Sequence, residues 1–323
     1  KKVNQYQLSP EENTQYILKL GYAQFMNGNT KSAVHTLEDA YDAVQGNEKN
    51  SVAYMLGHLY YAQQNNDKAF QYFDSIRNDE KYRQLVQPYY VQLYYNRGDY
   101  KKAITEGELL LNENVSESYK QEVHKIIGES YFMQDDYAAA YPHLKSFIQN
   151  QQNPSESDLY EMGFVCAKLA KYDEAVSYYN QLLNSKSAMA QNAYYQLGNA
   201  YLQTKKKQEA LSAFRSAYEM SYDPIVQQYA HEQYAKLSYE IGNPFESAPG
   251  VIQKYIAKYP KSEKTEDLRK LLVKSYLYSG NYKETLDAID KLPQQSAETN
   301  KINQEVSFLL GTEEFNKGNF NDA

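Results

Sequence analysis

This chain should fold as an all-α solenoid of antiparallel helix pairs, about eight repeats followed by an incomplete ninth, and three features of its 323 residues say so. A small residue returns every 34 to 38 positions, at Ala33, Ala69, Ala103, Ala140, Ala175, Ala210, Ala248, Thr285 and Ala323. Eleven of the 14 glycines fall in two slots counted from that marker: Gly21, Gly57, Gly128, Gly163, Gly198 and Gly311 twelve residues before it, and Gly28, Gly98, Gly280 and Gly318 five before it, with Gly242 one residue out of step. Apolar residues recur on either side of the marker at helical spacing. A fixed period of this size is the mark of stacked helical units, each burying its apolar face against its neighbours.

The first helix of each repeat is read from the slot thirteen before the marker (Leu20, Leu56, Tyr90, Ile127, Met162, Leu197, Leu272, Leu310) and the slot nine before it (Tyr60, Tyr94, Tyr131, Tyr201, Tyr276). The two stand four apart and so share one helix face. The earlier glycine lies beside that stripe, where a missing side chain permits close packing at about 1 kcal/mol of lost helix propensity. The later glycine falls where the first helix must stop and can take the left-handed conformation of a C-terminal cap. The second helix follows from slots plus four (Leu37, Phe73, Leu144, Tyr179, Phe214, Ile252, Ile289) and plus seven (Ala40, Ile76, Leu110, Phe147, Leu182, Ala217, Tyr255, Leu292). Asp99 and Asp136 sit at N-caps of second helices. Ser9-Pro10-Glu11-Glu12 reads as a capping box with proline at the first helical position, and Asp223-Pro224 repeats the proline device. Three departures stand out: Val91 in a glycine slot, Gly107 in an apolar slot, and one extra turn residue near Asn243-Pro244. Pro142 and Pro249 lie early in second helices, where a proline beyond the first turn kinks the axis.

Segments such as Leu197-Gly198-Asn199-Ala200-Tyr201 with Ala210 and Phe214, and Tyr131 through Asp136-Tyr137 with Ala140, resemble tetratricopeptide repeats. The resemblance covers nearly the whole chain. It implies a right-handed superhelical solenoid forming one elongated domain, 1–323, with units at about 11–47, 48–78, 79–114, 115–152, 153–185, 186–221, 222–260 and 261–293 and an incomplete one at 294–323. Because Ala323 occupies the marker slot of the ninth unit, and because Val3, Tyr6 and Leu8 resemble the tail of an earlier second helix, the chain reads as a piece of a longer protein.

Composition narrows the function classes. A net charge of −7 and a pI near 5.4 give no general attraction to nucleic acid or to anionic membranes, and Lys205-Lys206-Lys207 falls in a turn. No apolar run approaches the roughly 20 residues of a membrane-spanning helix, so direct membrane insertion is not expected. No phosphate-cradling glycine loop or Gly-x-Ser-x-Gly elbow is present, and His231-Glu232 lacks the second histidine of a zinc-protease helix. The expectation is a non-enzyme without cofactor or metal. The five histidines (His35, His58, His124, His143, His231) are read as scattered surface residues in different repeats. Cys166 shares the slot of Tyr131 and Tyr201 and is read as a packing residue, and Asp135-Asp136 as a turn and cap rather than a catalytic pair.

Residues fifteen, eleven and eight before the marker form a second stripe on the first helix, about 200° from the stripe that meets the second helix. In the family this chain resembles, that face lines a concave groove that binds peptides. Here the stripe offers Tyr22 and Phe25, then Tyr54, His58 and Tyr61, Gln92 and Tyr95, Lys125, Glu129 and Phe132, Tyr160 and Phe164, Tyr195 and Asn199, and lastly Lys270 and Lys274. Aromatic side chains with polar tips suit recognition of a protein segment, while the same tyrosines can serve stacking between neighbouring first helices. The lysine and asparagine that clamp a partner's carboxylate in some members are not matched, because Asn199 follows Tyr195 and Lys125 precedes Glu129. The expected function is therefore a protein-interaction scaffold whose partner is a peptide segment or another protein. A carbohydrate or cell-wall binding module, and a regulatory arm of a larger enzyme or transporter, stand as alternatives. Tyr255 through Ser262 is similar to tetratricopeptide proteins of the Gram-negative envelope, which tilts the expected location toward the periplasm or cell envelope rather than the cytoplasm.

Overall fold

The computed structural model describes residues 8–113 and 116–322, and among these it contains 17 helices and no strand. The chain divides into two compact units, 1–152 and 153–323. The N-terminal unit holds α1 (Pro10–Met26), α2 (Thr30–Ala43), α3 (Gly46–Ala62), α4 (Asn66–Ser75), α5 (Arg83–Asn96), α6 (Tyr100–Leu111), α7 (Glu117–Phe132) and α8 (Tyr137–Gln149). The C-terminal unit holds α9 (Glu156–Lys168), α10 (Tyr172–Asn180), α11 (Ala188–Gln203), α12 (Lys207–Glu219), α13 (Pro224–Ile241), α14 (Ala248–Lys258), α15 (Thr265–Tyr278), α16 (Tyr282–Asp290) and α17 (Ala297–Lys317). Within each unit consecutive helices pack on one another, and alternate ones, such as α5 on α7 and α11 on α13, also touch. This is a helical-repeat array. Ala323, Val3 and Tyr6 lie outside the described residues.

The turn inside each helix pair is a compact device. Its left-handed residue is Gly28, Gly98 or Gly280 in three pairs, but Gln64, Asp135, Ala170 and Lys205 take the same conformation with φ between 57° and 61°. The next residue donates its N–H to a carbonyl five residues back, closing the first helix: Asn29 to Gln24, Asp99 to Tyr94, Lys171 to Cys166 and Asn281 to Tyr276, at 2.8 to 3.0 Å. That same residue is the N-cap of the second helix. Asp99 and Asp136 accept from Lys102 N and Ala139 N, as expected, and Asn65 does likewise from Lys68 N. Ser9 and Glu12 form the expected capping box, and Asp223 caps α13 ahead of Pro224. An L-residue in the left-handed region costs about 1 kcal/mol, which glycine avoids. Ala170→Gly is therefore expected to raise stability by about 1 kcal/mol and Gly98→Ala to lower it comparably, both read from the midpoint of urea denaturation.

Packing explains the earlier glycine slot more sharply than helix approach alone. A Cβ at Gly57 would lie 2.5 Å from the ring of Phe73, at Gly163 2.7 Å from Tyr179, and at Gly198 2.6 Å from Phe214. In each pair the plus-four side chain of the second helix fills the space the glycine leaves. In the third pair the sizes are reversed, with Val91 fully buried in the glycine slot and Gly107 at plus four. A Cβ on Gly107 would instead strike Ile127, 2.7 Å away on α7.

Three expectations are corrected. Leu20, expected in the buried slot, is 37% exposed, since no described helix precedes α1 to cover it. The loop before α14 runs six residues, 242–247, where most pairs have three, so Val251 rather than Ala248 takes the buried marker position and Tyr255 the plus-four position. Pro249 consequently falls in the first turn of α14, capped by Ser247, and breaks no helical bond, while Pro142 does lie inside α8. Pro88, inside α5, does the same and was not anticipated.

Candidate functional site

In the N-terminal unit the candidate stripe forms an aromatic seam along α1, α3 and α5. Tyr22 is 53% exposed, whereas Tyr54, His58, Tyr61 and Tyr95 are half-buried. His58 stands edge-on to Phe25 of α1, centroids 5.6 Å apart, and to Tyr89 of α5 at 6.1 Å. Tyr61 meets Tyr89 at 5.0 Å, Tyr54 meets Tyr82 at 5.7 Å, and Tyr89 stacks on Phe73 at 4.6 Å. Burial, reinforced by Tyr54, pushes the Tyr89 hydroxyl up to about 12, and burial with the charge of Glu122 raises Tyr61. These phenols stay neutral hydrogen-bonding groups through the physiological range. Further along, Phe132 meets Tyr137 at 5.8 Å, and Lys125 pairs with Glu129 at 3.7 Å.

Between the second and third pairs the stripe opens into a concavity of about 810 Å³ lined by Tyr61, Gln64, Asn66, Gln92, Tyr95, Asn96 and Tyr100. Its floor carries an amide ladder, with Gln92 Nε2 donating to Asn96 Oδ1 at 2.7 Å and Asn96 Nδ2 to Asn66 Oδ1 at 3.3 Å. The C-terminal unit has a concavity at the equivalent place in the repeat, about 450 Å³, lined among others by Phe164, Lys168, Tyr172, Tyr195, Asn199 and Gln203. There Asn199 Nδ2 donates to Gln196 Oε1 at 3.4 Å, and Tyr195 lies between Phe214 (5.7 Å) and Tyr229 (6.4 Å). Tyr160 is half-buried against Tyr179, and burial raises its hydroxyl. The structure thus gathers Tyr61 and Tyr95 into one hollow and Phe164, Tyr195 and Asn199 into another, while Tyr54 and His58 are taken up in packing. Sequence reading missed Asn66, Asn96, Tyr100, Tyr172 and Gln203. Their signal was there: Asn96 and Gln203 share the slot seven before the marker, and Asn66, Tyr100 and Tyr172 the slot three before it.

The histidines correct the surface reading. His231 is wholly buried on α13, stacked on Tyr218 at 4.0 Å. His124 and His143 belong to the same repeat and face each other across α7 and α8, Nδ1 to Nδ1 at 3.0 Å. His35 alone lies fully in solvent, near Asp39. No group of three metal-ligating side chains forms among the described residues. Cys166 is buried in α9, Lys206 and Lys207 pair with Asp173 and Glu240, and Glu232 pairs with Lys236 at 2.6 Å. No helix among the described residues is long and apolar enough to cross a membrane.

The tetratricopeptide-repeat family profile matches residues 18–83 and 167–223, one stretch in each compact unit, and the profile of anaphase-promoting complex, cyclosome, subunit 3 matches 96–182. Together they span more than half of the chain. The chain is a tetratricopeptide-repeat protein. Solved structures similar to it include a tetratricopeptide repeat protein from Parabacteroides merdae (18% identity, 80% of this chain and 98% of that one, TM-score 0.45). Another is the C-terminal part of a repeat protein from Cytophaga hutchinsonii (14%, 84% and 99%, TM-score 0.49). PilF of Pseudomonas aeruginosa is a third (14%, 68% and 97%, TM-score 0.47). No curated protein matches the chain. Tetratricopeptide repeats serve in general as protein-interaction scaffolds.

Proposed function

We propose that this tetratricopeptide-repeat protein is a non-catalytic scaffold that holds an extended segment of a partner protein on the first-helix face of its repeats. The observation behind this reading is the recurrence of one hollow, with aromatic walls and amide groups on its floor, at the same place in the repeat in both compact units. An extended peptide exposes unpaired backbone N–H and C=O groups at regular intervals. The Gln92, Asn96 and Asn66 amides offer both donors and acceptors to such a chain. Tyr61, Tyr95 and Tyr195 supply apolar area at low entropic cost, because packing already holds their rings. Lys125 is engaged by Glu129, which argues against a dedicated carboxylate clamp.

A sugar-binding module is the second reading, favoured by the same pairing of ring faces with planar amides that the hollow between the second and third pairs presents. The test is affinity capture from lysate of the source cell with the parent chain and with Tyr22→Ala, Gln92→Ala, Asn199→Ala, Gln203→Ala combined, positions chosen to spare the stacked rings. A protein retained by the parent and lost by the folded variant is the expected result. Equal retention by both places the binding surface elsewhere, and binding on a glycan array without protein capture replaces the scaffold with the sugar module.

A further inference from the structure

Two imidazoles meet on the inner sides of the α7–α8 hairpin. His124 and His143, nineteen residues apart in sequence, bring their Nδ1 atoms to 3.0 Å, with ring centroids 5.1 Å apart and planes inclined at 47°. Two nitrogens bound to one ion at about 2.0–2.1 Å lie about 2.9 Å apart across a right angle and about 3.3 Å apart across a tetrahedral angle, so the observed separation falls between the two. Both rings are half-buried, so their χ angles are held by packing while one side remains open to solvent. Glu108 and Glu117 are near enough to act electrostatically on His143 and His124, and Tyr131 stands 6.0 Å from His143 with its hydroxyl donating to Glu108 Oε1. The charge of Lys120 acts on His124 in the opposite sense.

We propose that His124 and His143 form a two-imidazole site for a late first-row divalent cation, Zn²⁺ or Cu²⁺, whose remaining positions are filled by water. Neutral imidazole is the preferred nitrogen ligand of both ions, and two ligands on one rigid hairpin lose little entropy on chelation. The ion joins α7 to α8 and so stabilises the folded hairpin in proportion to its occupancy. The alternative for two nitrogens at this distance is a simple N–H···N hydrogen bond, which holds no metal.

Titration calorimetry of the full chain with Zn²⁺ and separately with Cu²⁺, at neutral pH, tests the site. The expected result is one saturable equivalent whose affinity falls at least about tenfold in both His124→Gln and His143→Gln, remains unchanged in His35→Gln, and is accompanied by a metal-dependent rise in the thermal midpoint. Absence of saturable binding, or equal affinity in the parent and the two variants, overturns it in favour of the hydrogen-bonded pair. Should either glutamine variant unfold, the electron paramagnetic resonance spectrum of Cu²⁺ on the parent decides: hyperfine structure from two imidazole nitrogens supports the site, and one or none refutes it.

Discussion

Valine in place of Gly128 is expected to destabilise the N-terminal unit by about 3 kcal/mol, the upper end of the usual range for overpacking. A Cβ there would lie 2.7 Å from both Cγ and Cδ2 of Leu144, and 3.0 Å from the backbone nitrogen of Leu144. At Gly57 or Gly198 the obstacle is a single aromatic ring on the plus-four residue, which can tilt. At Gly128 the obstacle includes main chain, so α8 itself must move away from α7. The gain in helix propensity on replacing glycine, about 0.5 kcal/mol, offsets little of this. Urea denaturation followed by circular dichroism measures the loss, with the slope monitored because repeat arrays can lose cooperativity. The reversed third pair supplies the internal control. Since Val91 is accommodated where plus four is Gly107, Leu144→Ala should relieve part of the strain of Gly128→Val. The double-mutant cycle should show a coupling above about 1 kcal/mol, and strict additivity would mean that the two residues do not share the space.

The same slots show why so much of the fold could be read from residues alone. Repetition averages away the ambiguity of any single helix: one Gly-x-x-Tyr segment means little, but the same spacing recurring along the chain constrains period, helix pair and turn together. What escaped was whatever the backbone alone decides. Gln64, Ala170 and Lys205 are not residues that announce a left-handed turn, yet the hydrogen bond closing the first helix holds them there as firmly as Gly98. The six-residue loop before α14 kept the overall period close to its neighbours', so a three-residue displacement of the marker passed as a single extra residue.

For the candidate site, the stripe arithmetic singles out one helix face but not its relief. It could not separate Tyr22, which is open to solvent, from His58, which bridges Phe25 and Tyr89, because that distinction depends on which ring of the next helix reaches across. Of the amides that line the hollows, Gln92 and Asn199 belong to the stripe, but Asn96 and Gln203 end first helices and Asn66 begins a second one, in slots that the apolar pattern ignores. The His124–His143 pair occupies slots sixteen before and three after the marker, which no other repeat makes special, so only the packed hairpin brings it to notice.

Acidification should weaken the C-terminal unit through His231. Its ring is buried between Tyr218, stacked at 4.0 Å, and Tyr255 and Tyr259, edge-on at 5.3 and 6.0 Å. Nε2 lies 3.3 Å from the carbonyl oxygen of Val251 and donates to it, while Nδ1 is buried without a hydrogen-bond partner. A second proton would have to be placed on Nδ1 in surroundings that cannot solvate it. Burial therefore pulls the imidazole down to about 4; the Val251 hydrogen bond and Glu246 pull the other way, and Lys258 and Lys254 add to the depression. In the unfolded chain the group titrates near 6.5, so between that value and about 4 the unfolded state binds more protons than the folded one. The stabilising contribution is thus complete above about pH 6.5, declines as pH falls, and is exhausted below about pH 4. Between pH 7.5 and 4.5 it amounts to roughly 2 to 3 kcal/mol. Carboxylates also titrate in this window, so the decisive quantity is a difference: His231→Phe keeps a ring for Tyr218 to stack on but has no proton to take up. Denaturation at both pH values should show the parent losing roughly 2 to 3 kcal/mol more than the variant, and parallel losses would mean that His231 is solvated well enough to be charged in the folded protein.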